Sequence, residues 1–342
     1  MPKKNKPYSK PQLYLHIGHP KTASSTLQSF LFQNTQHLKA AGYTLPTDKL
    51  TCTTSQSPAG NPLWALEAIR ETGDTSPIKR WIAEAGKQAT SQPKLILSSE
   101  CMAQSEWPLL FANMADHAHI HLIYYVRRQD QLLLSAWRQW GLKRGLSLGE
   151  FIKRRLANKQ PDFLSIVRGW LDAVDLASHH VRFIQAPFLQ GKDIIEDFCT
   201  HIGFDPKDCT PTKNENISID ARLLLFMSNH TELFSSVHDE EIFTLLSSPN
   251  TTEPEQRLKL SAQQFQHVQE TFEPLNQSLL QECQPALTGT AVIDTATGSG
   301  AANSDLLGEA AQLAYVRDRM AAAPNQSHPK LVQLRDIIGH SP

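Results

Sequence analysis

The sequence predicts an α/β protein: a three-layer fold with a central parallel β-sheet flanked by helices. Three observations carry this expectation. Four short apolar runs fit buried strands: "QLYLHI" (Gln12 to Ile17), "KLILSS" (Lys94 to Ser99), "HIHLIYYV" (His119 to Val126) and "VRFIQA" (Val181 to Ala186). They alternate with stretches of helical pattern, and such alternation builds a parallel sheet covered on both faces. The chain has 342 residues, 40% of them hydrophobic, so it can bury one large core or two smaller ones.

Taken in order, residues 1–11 form a basic arm expected to be disordered, and the first strand follows. A helix is expected from about Ser24 to Ala41, where Leu27, Phe30, Leu31, Leu38 and Ala41 recur near a 3.6-residue period. Gly42 stands where a helix C-cap glycine belongs. Thr47 to Pro62 is rich in Thr, Ser, Pro and Gly and reads as a long loop of the kind that often serves binding. The second, third and fourth strands follow, each flanked by helical pattern. From Ser218 to about Cys283 the pattern is mainly helical. Residues 286–305 read as a flexible Gly/Ala/Thr linker between a domain at 12–285 and a helical tail at 306–342. The tail's helix, around Asp305 to Ala323, is a candidate docking or oligomerisation element. The sequence contains no internal repeat.

Composition excludes some classes. Lys plus Arg number 33 against 34 Asp plus Glu, which argues against a protein that coats a polyanion, so no nucleic-acid partner is expected. The balance hides a local excess: from Arg127 to Arg155 there are eight basic and two acidic residues, a net of +6. Such a run is either a solvated helical face or an anion-binding surface. The five cysteines are scattered and odd in number, matching neither a zinc-ligand pattern nor a disulfide framework, which suggests a reducing compartment. "MPKKNKPYSKPQ" has no signal-peptide apolar run behind it, and no stretch approaches bilayer-spanning length. The expectation is a cytoplasmic protein with no integral membrane segment.

The chemistry concentrates in "LHIGHPKTASSTLQSF" (Leu15 to Phe30). Residues Gly18 to Thr26 fall at a strand-to-helix turn, and in parallel sheets ligands bind beyond the carboxyl ends of the strands. Backbone N–H groups and the positive end of the helix dipole make an anion site there. Thr22, Ser24, Ser25 and Thr26 add four hydroxyls, and Lys21 adds a point charge. The plain alternative is a helix N-cap at Ser24 or Ser25. The nucleotide-loop pattern G-x-x-x-x-G-K-[ST] is not met, because Gly18 precedes Lys21 by only three positions with His19-Pro20 between. So short a loop cannot wrap a β/γ-diphosphate in the same way, but it can hold one phosphate and its substituent.

A second constellation lies in "YYVRRQDQLLLSAWRQW". Arg127 falls at the carboxyl end of its strand, on the same sheet edge as Lys21, and Ser135 follows eight residues later, about two helical turns on. The alternative reading gives Arg127 and Arg128 a salt bridge to Asp130 and leaves Ser135 a tolerated polar helix residue. Two anion-type sites thus fall on one edge of the sheet, about one hundred residues apart in the chain, and together weigh more than either alone.

At these residues the chain resembles a known family. "HIGHPKTASSTLQ" is similar to the 5′-phosphosulfate-binding loop of sulfotransferases, usually P-K-[ST]-G-T-[ST]. "YVRRQDQLLLSAW" is similar to their 3′-phosphate-binding motif, with Arg and Ser eight positions apart. "LILSSE", "IIEDFCTHIGF" (Ile194 to Phe204) and, more weakly, "NENIS" (Asn214 to Ser218) resemble segments of bacterial members. The resemblance covers roughly Gln12 to Cys283 and implies a P-loop NTPase-like sulfotransferase architecture. It further implies that 3′-phosphoadenosine 5′-phosphosulfate is the cosubstrate and a hydroxyl the acceptor, by family habit a carbohydrate or glycolipid. On this reading Lys21, with Thr22, Ala23, Ser24, Ser25 and Thr26, cradles the 5′-phosphosulfate, while Arg127 and Ser135 hold the 3′-phosphate. The chain departs from the family at Ala23, where the loop glycine is replaced, and at Thr26, where an adenine-stacking aromatic is common.

Sulfuryl transfer needs in-line geometry and stabilisation of the leaving phosphate. No β/γ-diphosphate has to be neutralised, and no carboxylate cluster suggests a metal. Glu100, ending "SSE", is the first candidate for the general base and His19 the second; His16 is assigned a structural role by strand alternation. Two other function classes remain open on sequence alone: a P-loop-type nucleotide kinase or hydrolase, and a non-catalytic nucleotide- or glycan-binding module.

Overall fold

A computed structural model describes residues 10–51, 61–89, 91–212, 219–247, 256–294 and 308–339. Most of the basic arm, the centre of the long loop, the "NENIS" segment and residues 295–305 of the expected linker lie outside them. The chain forms two compact units. The first comprises Met1–Arg128, Asp162–Glu215 and Leu275–Thr290; the second comprises Gln129–Pro161, Asn216–Pro274 and Ala291–Pro342.

The first unit is built on an all-parallel five-stranded sheet of order β2-β3-β1-β4-β5. The strands are β1 (Gln12–Ile17), β2 (Tyr43–Thr44), β3 (Lys94–Ser99), β4 (His119–Val126) and β5 (Leu176–Phe183). Three of them span the residues expected from their apolar runs. The strand expected at 181–186 instead starts at Leu176 and stops at Phe183. Its first half, "LASHH", is polar and partly exposed at the sheet edge, so backbone pairing to β4 defines it rather than apolar content. The two-residue β2 is too short to leave a pattern.

Central β1 is buried on both faces. Tyr14, with Ile96, Ile123 and Tyr125 from the flanking strands, packs against Leu27, Phe30 and Leu31 of helix Ser24–Gln33 and Phe198 and Ile202 of helix Ile194–Ile202. On β4 the alternate residue Tyr124 meets Phe163 of helix Phe163–Ala173, ring centroids 6.1 Å apart. Helices therefore cover both faces, and the three-layer α/β arrangement is present. The single helix expected over 24–41 is two, Ser24–Gln33 and Thr35–Ala40. Asn34 breaks it: its buried amide donates to Phe30 O and Thr210 O and accepts from Thr210 N, tying a distant loop to this point. Gly42 follows at φ +86, the left-handed conformation expected of a glycine closing a helix.

The second unit is helical. It contains helices Gln129–Ala136, Leu148–Ala157, Ala221–Ser228, Glu241–Leu246, Glu309–Ala322 and Pro329–Gly339, and the N-terminal part of Ala262–Cys283. The expected C-terminal helix is thus a pair, built into this unit: Val316, Leu331 and Leu334 are fully buried, and Arg222 lies 4.1 Å from the Tyr315 ring. Its apolar face is used within the chain's own fold. The described start of the expected linker is also packed. Val292 and Ile293 are buried, and their amides donate to the Glu273 carboxylate at 2.9 Å. Among the described residues no helix is long and apolar enough to cross a membrane.

Candidate anion site at the end of the central strand

Where β1 ends, the backbone is fixed to its neighbour by Gly18 N donating to Ser99 O at 3.1 Å. A Cβ on Gly18 would stand 2.4 Å from Ser24 Oγ and 3.1 Å from Glu100 Cγ, so the absence of a side chain is what lets these two residues approach the loop. Thr22 closes the turn: its hydroxyl donates to His19 O at 2.6 Å and accepts from His19 N at 3.3 Å. Lys21 and Ala23 both take left-handed backbone conformations, φ +67 and +61. Such conformations cost about 1 kcal/mol for a residue bearing Cβ.

Ala23 is also the N-cap of helix Ser24–Gln33, which has no side-chain cap hydrogen bond and no acidic residue in its first turn. The plain expectation of an ordinary cap at Ser24 or Ser25 is therefore not met. Ser24 lies inside the first turn, 1% exposed; its hydroxyl makes no hydrogen bond of ordinary geometry. It is nevertheless near enough to the Glu100 carboxyl to favour the ionised form of that group. Ser25 is exposed and Thr26 half-buried. Of the four hydroxyls read as donors, that of buried Thr22 is committed to the loop itself.

The two candidate bases differ in setting. Glu100 opens the turn Glu100–Ala103 directly after β3. Burial raises its pKa, and the Ser24 hydroxyl and the Lys21 charge only partly offset this. His19 lies with Nδ1 3.0 Å from Pro20 O and its ring edge-on to Phe163, centroids 5.2 Å apart. His16, by contrast, is fully buried, with Nδ1 2.7 Å from Ser98 Oγ; burial lowers its pKa to about 3, which keeps it neutral in a structural position.

Lys21, Thr22, Ala23, Ser24, Glu100 and His19 are thus brought together in the first unit. Arg127 belongs to the same unit and directly follows β4, at the carboxyl end of the sheet. Ser135 is half-buried in helix Gln129–Ala136 of the second unit. Two further residues lie in this corner without any local signal in the sequence: Phe163, which receives the His19 ring edge-on, and Tyr124, which packs against Phe163 and whose buried hydroxyl has no hydrogen bond. A tyrosine in an apolar strand and a phenylalanine opening a helix carry no local signal of function. Of the seven basic residues that follow Arg127 in the run to Arg155, three make contacts within the fold. Arg138 and Lys143 both bind Glu240, and Arg155 stacks on Phe151 and donates to Gln160.

Among the described residues, no group of three or more His, Cys, Asp or Glu side chains is placed to hold a metal ion. Fold and site together define a parallel α/β protein with a candidate anion-binding loop at the end of its central strand. No protein-family model matches the chain, and no curated protein matches it.

Proposed function

We propose that the protein is a sulfotransferase of P-loop-like architecture, moving the sulfuryl group of 3′-phosphoadenosine 5′-phosphosulfate to a hydroxyl acceptor, a carbohydrate or glycolipid. The observation that carries this reading is the helix start after β1. An uncapped N-terminus, a buried Ser24 hydroxyl without a well-formed hydrogen bond, and the Lys21 charge offer a cradle for an anion, and the short loop suits a single phosphate group. The donor fits that chemistry, because its 5′ end presents one phosphate and its sulfuryl substituent. The resemblance assigns the 3′-phosphate to Arg127 and Ser135, and this half of the assignment rests on the sequence.

In transfer, the bond from sulfur to the 5′-phosphate oxygen breaks while one to the acceptor oxygen forms. Lys21 and the helix N-terminus stabilise charge on the leaving phosphate. Glu100 takes the acceptor proton, its raised pKa making it a stronger base than an exposed carboxylate. His19 is the second candidate for that role.

Two measurements test the reading. Adenosine 3′,5′-bisphosphate is expected to bind without magnesium, and binding of ADP with magnesium alone would instead mark a kinase or hydrolase. A panel of hydroxyl acceptors with labelled cosubstrate is expected to yield a labelled product. Nucleotide binding without transfer to any acceptor would leave a binding module.

A further inference from the structure

The groups that would bind an anion in this loop already face a carboxyl group of the chain. Glu100 follows Ser99, whose carbonyl accepts from Gly18 N, so the end of β3 is held against the loop. Its Cγ would be 3.1 Å from a Cβ on Gly18, which places the side chain over the loop glycine on the side where Ser24 Oγ also lies. The Ser24 hydroxyl and the Lys21 ammonium both favour its ionised form. Both belong to the set of residues assigned to the phosphosulfate.

We propose that the Glu100 carboxylate is an intramolecular competitor for the anion cradle, so that donor binding must displace it. The inference rests on the reading of this loop as an anion site. It adds that the cradle is self-occupied and that donor binding is coupled to release of Glu100. An ionised Glu100 facing the cradle opposes any second negative charge there; a protonated one does not. Other titratable or charged groups bear on this corner of the unit. His19 belongs to the loop and Cys101 follows Glu100 in its own turn. Glu67 and Arg70 come from helix Leu63–Thr72, packed beside that turn, and their charges act on Cys101. Burial lifts the Glu100 pKa despite Lys21 and Ser24, so the carboxylate is an ill-fitting occupant that a better anion can replace.

The test uses the full chain and titration calorimetry with two probes, adenosine 3′,5′-bisphosphate and inorganic sulfate, between about pH 5 and about pH 8. Glu100→Gln and Glu100→Ala are expected to bind both probes on the order of tenfold more tightly than the wild type at the upper pH. The wild type should approach the variants as pH falls and Glu100 protonates. A purely structural Glu100 gives the opposite sign, because its loss would loosen the loop; equal or weaker binding by both variants at the upper pH overturns the proposal. If sulfate alone binds and shows the expected pattern, the self-occupied cradle stands and the nucleotide reading fails. Binding of neither probe overturns both.

Discussion

Two kinds of buried carboxylate stand in contrast: those that hydrogen bonds hold low, Asp197 of the first unit included, and Glu100, which burial holds high. In the second unit, Glu240, Asp220 and Asp239 are each matched to a cation. Glu240 accepts from Arg138 at 2.8 Å and Lys143 at 2.6 Å, Asp220 chelates Arg222 at 2.9 and 3.0 Å, and Asp239 takes Lys330. Burial pushes these three acids upward, yet the hydrogen bonds from Lys143, Arg222 and Lys330 overcome it and hold all three below the usual carboxylate range. In the first unit, Glu100 beside Lys21 stays above that range, because burial wins over its partners. Charges that build a fold are satisfied by geometry. A carboxylate left under-compensated beside a lysine and an uncapped helix is what supports the proposed binding site at this loop.

The sharpest way to break this contrast is to remove one charge from each side of it. Lys21→Ala is expected to abolish sulfuryl transfer, a loss of roughly 100-fold or more on the scale of deleting one transition-state donor, with the thermal unfolding profile little changed. Labelled-sulfate transfer at saturating donor measures it; near-normal turnover would reduce Lys21 to a surface charge. Glu100→Ala should likewise lose turnover while still binding nucleotide, and near-normal turnover in that variant would pass the base role to His19. On the other side, Glu240→Gln leaves the buried Lys143 without its carboxylate. It should cost roughly 2 kcal/mol in urea unfolding, the half-exposed Glu240 placing it below a fully buried pair. It should leave nucleotide affinity unchanged. A large loss of nucleotide binding in Glu240→Gln would mean that the two sets of charges are not separable.

How much of this was legible in the sequence follows from how local each feature is. Strands β1, β3 and β4 were readable because continuous apolar runs record burial on both faces. β5 was misplaced because an edge strand beginning "LASHH" carries no such record. The proposal that the loop holds an anion starts from Lys21, the hydroxyls and the helix that follows, all of which are local in the sequence. That Thr22 would be consumed by His19 was not readable, since this depends on the turn the backbone takes. Nor could the sequence show that Glu100 comes to lie over Gly18, across 82 positions, or that Glu240 would neutralise Lys143 across 97. Contacts of that range are set by packing. Ala23 is an intermediate case: the departure from glycine was visible, but its consequence was not.

Acid sensitivity sharpens the comparison at the next size of effect. In the first unit, burial lowers His16 to about 3, and burial together with the charges of His201 and Arg182 lowers His180 to about 4. Both remain neutral when folded, whereas the unfolded chain takes up protons below about pH 6.5. Their stabilisation is therefore full above about 6.5 and declines by roughly 1 kcal/mol per histidine for each pH unit below it. Glu100 works weakly against this, since a raised carboxyl favours the folded state as pH falls. In the second unit Glu240, Asp220 and Asp239 keep their contribution until the unfolded carboxylates begin to protonate, near about pH 4. Hydrogen exchange followed from neutral to about pH 5 should thus show the sheet unit losing protection before the helical one. The reverse order would contradict the assignment of neutral buried histidines to the sheet.

The smallest expected effect concerns Ala23. The resembling family places glycine here, and the chain has alanine in the left-handed conformation at φ +61, so the backbone path that glycine would take is already taken. Ala23→Gly removes a strain of about 1 kcal/mol but gives the unfolded chain more freedom, worth about 0.4 to 1 kcal/mol in the other direction. The net should be a gain of at most roughly 0.5 kcal/mol, visible as a small rise in unfolding temperature. Affinity for adenosine 3′,5′-bisphosphate should stay within about twofold, because neither the N–H directions nor Lys21 needs to move. A change of tenfold or more would show that the alanine methyl itself shapes the cradle, and the loop would then differ from the loops it resembles in what it binds rather than only in its sequence.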